Sequence, residues 1–212
     1  MPARNRPVSK AIAKGEALSQ ASNDRNSVLA ARGGDRSAFG NLVTSYQRRL
    51  FSLSLMLLRE PSDAEDNTQD AFVRAFMCLE QYDVGRPFYP WLATIAVRLA
   101  QTRLGRRARD VKHKLQDADQ NLEVDEKADA LGDLLEAERS ESLWNKVSTL
   151  PASQRTAVLL YYRQDMKINE VAQVLGVTGG TVKTLLFRAR RKLKVSIALK
   201  DASQSQDQEE LQ

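Results

Sequence analysis

Apolar residues recur along this chain every three or four positions, in blocks broken by Gly and Pro, and that spacing predicts helices rather than alternating strands. In the first block Phe39, Leu42, Val43, Tyr46, Leu50, Leu53 and Leu57 form one face of a long helix ended by Pro61. A short helix starting near Ser27 and a Gly33-Gly34 break precede it. Ser-Asp-Ala-Glu at residues 62–65 has a capping-box pattern, so Ser62 is expected to cap a helix running to about Gln81, with Ala64, Ala71, Phe72, Ala75 and Leu79 buried. Asp83 to Pro90 reads as a loop, because Gly85, Pro87 and Pro90 oppose a regular helix. Trp91 then opens a helix with Leu92, Ile95, Ala96, Leu99 and Leu104 on its apolar face.

The second block has the clearest signature. Residues 134–150 are amphipathic up to Pro151, and residues 152–166 form a helix expected to pack Val158, Leu159 and Tyr162 beneath a pair of helices at 168–194. Ile168, Val171, Ala172 and Leu175 make one face of the first of these, a short helix stopped by Gly176, and a turn at Val177 and Thr178 leads into the second, which is longer. In that helix Val182, Leu185, Leu186, Ala189 and Leu193 form the buried stripe, leaving Lys183, Thr184, Phe187, Arg188, Arg190 and Arg191 outside it. A short helix, a Gly-containing turn and a longer helix with a basic outer surface make a helix-turn-helix, whose second helix enters the DNA major groove. A helical hairpin with a solvated charged face is the plain alternative.

Between the blocks the composition flips. From Leu115 to Glu141 ten acidic residues face only Lys127 and Arg139. The fold class is therefore all-α: two small helical domains at residues 27–110 and 133–198, joined by a flexible acidic linker at 111–132. A flexible basic arm is expected at residues 1–26 and a frayed polar tail at 199–212.

Charge and rare residues narrow the chemistry. Of 212 residues, 32 are Lys or Arg and 27 Asp or Glu, a formal charge of +5 that favours a polyanionic partner. Cys78 and His113 are the only Cys and His, so one chain cannot assemble a Cys/His zinc site, and no cofactor is expected. Cys78 is expected to be a small core residue. No apolar run reaches the roughly 18 residues of a membrane span and no signal-peptide core is seen, so a cytoplasmic location is expected. Two surface features remain. Asp63, Glu65, Asp66, Gln69 and Asp70 form an acidic face, partly explained by the helix dipole. Phe88, Tyr89 and Trp91 lead into a helix carrying Arg98 and Arg103, the pairing of rings and cations that suits single-stranded nucleic acid, although each ring taken singly reads more readily as a core plug.

Two separated segments resemble one family. Residues 35–76 with 85–104, and residues 150–162 with 168–193, are similar to the second and fourth conserved regions of bacterial RNA polymerase sigma factors of the extracytoplasmic function (ECF) group, in the same order and spacing. The resemblance implies a promoter-specificity factor, not an enzyme. It implies that Asp63, Glu65, Asp66, Gln69 and Asp70 dock on the polymerase β′ clamp and that the C-terminal domain meets the β flap. Minus-ten DNA would meet the loop from Asp83 to Tyr89, with Arg86, Phe88, Tyr89 and Trp91, and the basic helix with Arg98 and Arg103. Minus-thirty-five DNA would meet Lys183, Thr184, Phe187, Arg188, Arg190 and Arg191. An anti-sigma factor is a further expected partner. Arg98, Thr102, Asn67, Thr68 and Leu185 depart from the family's usual residues, as do Lys167 and Asn169 where the motif's first helix is capped. Two other classes stay open: a free-standing helix-turn-helix regulator of LuxR-like type, and a metal-dependent enzyme using Asp63, Glu65, Asp66 and Asp70. The second lacks a nearby His, a phosphate loop and a nucleophile.

Overall fold

The computed structural model describes residues 7–117 and 144–209, with side-chain surroundings for 19–109 and 144–195. Among the described residues every regular element is helical. In chain order these are α1 (Pro7–Arg32), α2 (Arg36–Leu58), α3 (Pro61–Met77), a 3-10 turn (Leu79–Gln81) and α4 (Phe88–Asp117). Then come α5 (144–148), α6 (Ala152–Val158) with a π turn (Leu159–Arg163), α7 (Ile168–Leu175) and α8 (Gly179–Glu209). No described helix is long and apolar enough to cross a membrane.

The helix ends follow local chemistry. Asp35 caps α2 by accepting from the N–H groups of Ser37 and Ala38, and the Ser37 hydroxyl foremost, with those two backbone bonds, holds its carboxyl below the usual range. Helix α2 stops where Arg59 turns into the left-handed region at φ 67°. Helix α3 begins at Pro61 with Glu60 at its cap position, so Ser62 lies inside the helix and does not cap it. Proline is suited to a first helical position, because that N–H has no intrahelical partner. The same reasoning corrects the loop: Pro90 lies in the first turn of α4, which starts at Phe88, so the irregular segment is only residues 82–87.

Three further expectations are corrected at the termini. Order does not wait for Ser27, because α1 already runs from Pro7 and its residue Asp24 is buried. Helix α4 continues to Asp117 into the expected linker, and α8 to Glu209 through the expected frayed tail. Residues 1–6, 118–143 and 210–212, which include most of the acidic linker, lie outside the described residues. Cys78 is not a core residue: it ends α3, half-buried, its thiol donating to the Arg74 carbonyl.

Helices α1 to α4 pack around Leu42, Leu50, Leu53, Leu92 and Phe88, all at most 1% exposed. One feature of this core is polar. Asn67 is fully buried on α3, where its Nδ2 donates to Ser54 Oγ (3.0 Å) and to the Ala96 carbonyl (3.2 Å). Thr68 bonds back to the Ala64 carbonyl and also reaches Ser54. The departure at Asn67 and Thr68 is thus matched on its donor side by a buried hydroxyl on α2, while Asn67 Oδ1 is buried without a hydrogen-bond partner.

The C-terminal helices pack onto the N-terminal ones, chiefly α7 against α4, and the buried residues of both form one continuous cluster. Polar contacts pin this junction. The Tyr89 hydroxyl donates to Gln164 Oε1 (2.7 Å), Arg49 donates to the same oxygen (3.1 Å) and to the Gln164 carbonyl, and Arg59 and Arg155 both donate to the Ser148 carbonyl. Burial and the neighbouring Arg59 push Arg155 down from its ordinary value.

Candidate polymerase and promoter interfaces

The acidic face is present on α3, but it does not stand alone. Glu65, Asp66, Gln69 and Asp70 are exposed and Asp63 is half-buried. Helix α4 runs antiparallel to α3 and lays two arginines across that face. Arg103 pairs with Asp70 and lies 3.9 Å from Asp66, while Arg107 pairs with Asp63. Two sites expected apart are therefore brought together, because Arg103 was assigned to single-stranded DNA. Pairs as exposed as these stabilise by no more than about 1 kcal/mol, so a partner of complementary charge can displace them. Among the described residues Glu65 and Gln69 find no side-chain hydrogen bond or ion pair, and next to them Val73, Phe76 and Met77 are exposed on the same helix.

The aromatic residues of the expected DNA loop split between core and surface. Phe88 is 1% exposed, its ring 5.6 Å from Tyr46, 5.4 Å from Tyr82 and 5.5 Å from Trp91. Tyr89 is 4% exposed, stacked on Tyr46 with the Arg49 guanidinium 3.7 Å above its ring. Burial pushes both the Tyr89 and Tyr46 hydroxyls well above the ordinary tyrosine range. Neither Phe88 nor Tyr89 offers a free ring face in this arrangement, because each is used to build the core. Trp91 is half-buried at the rim of a groove between α3 and α4 that Arg74, Thr94 and Arg98 also line. On the loop itself Arg86 points outward and pairs with Asp83 (3.2 Å). The Asp83 carboxylate also accepts the Gly85 N–H (2.9 Å), and the Tyr82 hydroxyl donates to the Arg86 carbonyl, so the loop is closed on itself.

The third group lies on α8. Gly176 ends α7 in the left-handed region at φ 67°, and the Thr178 hydroxyl caps α8 by accepting the Thr181 N–H. At the start of α7 the Glu170 carboxylate accepts the Lys167 N–H (2.8 Å), which supplies a cap without a hydroxyl at Lys167. Val182, Leu186 and Ala189 are buried against α6 and α7, which turns Lys183, Thr184, Phe187, Arg188, Arg190 and Arg191 to solvent. Phe187 is 65% exposed, a ring open to solvent among the basic residues of this face. Arg190 donates through Nε to the hydroxyl of Tyr162 (2.7 Å), and Tyr162 is itself exposed rather than packed under the motif as expected.

Comparison with known proteins decides what carries these surfaces. The family model for Sigma-70 region 2 matches residues 42–110, and that for Sigma-70, region 4 matches residues 140–193. The ECF RNA polymerase sigma factor SigW of Bacillus subtilis is 30% identical over 167 residues, covering 76% of this chain and 89% of its own. The chain belongs to the ECF sigma factors. CnrH, solved in complex with the cytosolic domain of CnrY, superposes with a TM-score of 0.60 at 26% identity, covering 85% of this chain and 98% of that one. The sigma factor RpoE of Bartonella quintana, solved with the anti-sigma factor NepR, shares the fold with the same TM-score at 21% identity, over 76% of this chain and 96% of its own.

Membership accounts for the two matched blocks and makes this ECF factor a promoter-recognition protein, so the free-standing regulator is not favoured. Sigma factors as a family are not enzymes. Sequence reasoning missed the residues that hold the assembly together: Asp24, Arg32, Arg49 and Gln164. Arg49 and Gln164 are 115 positions apart. No local period could have paired them.

Proposed function

We propose that this ECF factor acts by binding alone, in the cytoplasm, with residues 27–110 and 133–198 as its two working modules. The N-terminal module docks on the polymerase β′ clamp through Glu65, Asp66, Gln69 and Asp70 with Asp63 beside them, and the C-terminal module meets the β flap. Arg86, Trp91 and Arg98 follow the melted minus-ten strand, with Phe88 and Tyr89 shaping the loop from below. Lys183, Thr184, Phe187 and Arg188 reach minus-thirty-five bases, while Arg190 and Arg191 lie toward phosphates. Arg103 serves the acidic face in the free chain and turns to DNA when polymerase displaces it. Because CnrH and RpoE were each solved with a bound partner, an anti-sigma factor is also proposed here.

The observation carrying this reading is the side-by-side exposure of Lys183, Thr184, Phe187 and Arg188 on a capped helix whose opposite face is buried. Co-purification with core polymerase tests the other half. Glu65→Lys with Asp66→Lys should turn attraction into repulsion and weaken retention of the protein at unchanged helicity. Undiminished retention would remove α3 from the docking surface.

A further inference from the structure

Helix α1 lies wholly outside the region 2 match, which begins at residue 42, yet it holds the start of the promoter loop directly and the helix after the loop through Tyr46. At the near end Arg32 donates from Nε and Nη2 to the Leu79 carbonyl (3.2 and 2.8 Å), and from Nη2 to the carbonyls of Glu80 (3.2 Å) and Tyr82. The Glu80 carboxylate lies 3.7 Å from Nε. These carbonyls belong to the 3-10 turn that delivers the chain into residues 82–87: that of Leu79 also accepts the Tyr82 N–H (3.1 Å), while those of Glu80 and Tyr82 take no backbone N–H. At the far end Asp24 accepts from the Tyr46 hydroxyl, and the Tyr46 ring packs on Phe88 and Tyr89, the first two residues of α4.

We propose that Arg32 is the positioning residue of the promoter loop: it fixes the backbone from Leu79 to Tyr82 and so determines where Arg86 meets DNA. This rests on the assignment of residues 82–87 to the minus-ten element. The relay is short. Arg32 holds the Tyr82 carbonyl, the Tyr82 hydroxyl holds the Arg86 carbonyl, and the Arg86 side chain is 63% exposed to solvent. A guanidinium suits the task, since its planar fork stays charged at every relevant pH and serves several acceptors at once. With only 20% of the Arg32 side chain exposed, water competes poorly for those bonds. Burial likewise keeps the Tyr82 hydroxyl protonated as a donor, pushed up to about 12. A recognition loop displaced by a fraction of an ångström loses discrimination before it loses its fold.

Full-length protein with core polymerase, transcribing a template pool randomised at both promoter elements, tests the proposal by sequencing the RNAs. Arg32→Ala should reduce base preference in the minus-ten element about tenfold, the loss expected for charge-assisted hydrogen bonds. Preference at minus-thirty-five should stay at the wild-type level, because α8 is untouched. Arg32→Lys should restore part of the preference, and Tyr82→Phe should lower it in the same direction by less. A purely structural role would reduce output on all templates alike, and unchanged minus-ten preference in Arg32→Ala would overturn the proposal. Should Arg32→Ala fail to fold, unchanged preference in both Arg32→Lys and Tyr82→Phe overturns it equally. If wild type selects no sequence with polymerase, the promoter reading falls and the Arg32 proposal with it; if wild type selects and the variants match it, only the proposal falls.

Discussion

Gln164→Ala is the sharpest probe of how the two helix groups are held together. The wild-type side chain accepts from the Tyr89 hydroxyl at 2.7 Å and from Arg49 at 3.1 Å, while Gln164 and Tyr89 are 3% and 4% exposed. Truncation leaves the Arg49 bond to the Gln164 carbonyl in place, and exposed Arg49 can turn to water. The Tyr89 hydroxyl cannot, so it carries the cost of a buried donor without a partner, about 1 to 3 kcal/mol. Taking about 2 kcal/mol, the junction should open roughly 30 times more often. Thermal unfolding should then begin about 4 to 8 °C lower for a chain of this size. Amide exchange read by mass spectrometry should accelerate by a similar factor in residues 88–104 and 164–175, which face each other across the junction. Tyr89→Phe should cost less than Gln164→Ala, because it removes the donor and leaves Gln164 Oε1 bonded to Arg49. Unchanged exchange in both segments for Gln164→Ala, or a larger cost for Tyr89→Phe, would refute the reasoning.

Three further outcomes are expected. On the recognition helix, Arg188→Ala should cost about 1 to 3 kcal/mol and relax preference at one base pair in polymerase-dependent transcription, whereas Arg191→Ala should weaken all sequences alike and lower the salt slope by about one. With Tyr82 pushed up to about 12, and Tyr46 and Tyr89 higher still, mainly by burial, the neutral forms are favoured in the folded state. Their contribution to stability is fully present below the unfolded value near pH 10 and is lost as pH rises from there through 12, so tyrosinate absorbance at 295 nm should rise together with loss of helicity. Ionisation of these three near pH 10 in a fully helical protein would contradict this. Ser54→Ala should destabilise by about 1 kcal/mol in urea titrations, because Asn67 keeps only the Ala96 carbonyl and Thr68 only that of Ala64.

What was legible in the chain was whatever repeats locally. The stripe from Phe39 to Leu57 and the one from Val182 to Ala189 were readable because helical period alone decides which face is buried. The exposed set from Lys183 to Arg191 emerged as their complement. The rings at Phe88 and Tyr89 stayed open between core plugs and a base-stacking platform because Pro90 looks like a helix breaker, when in a first turn it breaks nothing. Starting α4 at Phe88 rotates both rings inward. The polar cluster of Ser54, Asn67 and Thr68 was half visible: the departure on α3 showed, but its partner on α2 is one of several serines in an apolar helix with nothing local to single it out. Arg103 was assigned to single-stranded DNA with no carboxylate partner, since those partners lie 33 and 37 positions earlier and only the antiparallel packing of α3 and α4 brings them together. The role of α1 was invisible for the same reason, because the 47 to 50 residues between Arg32 and its acceptors carry no periodic signal.

Run-off transcription is the measurement closest to the central claim. Core polymerase alone, this protein alone and the two together would be given a template pool containing randomised promoter segments, and bound DNA would be measured in parallel at physiological salt. Two small modules reach tight promoter binding only when a larger body fixes their separation, so the account predicts weak binding by the protein alone and sequence-selected transcripts only from the combination. Nanomolar, sequence-specific binding by the isolated protein, with no transcript gained when core polymerase is added, would contradict it.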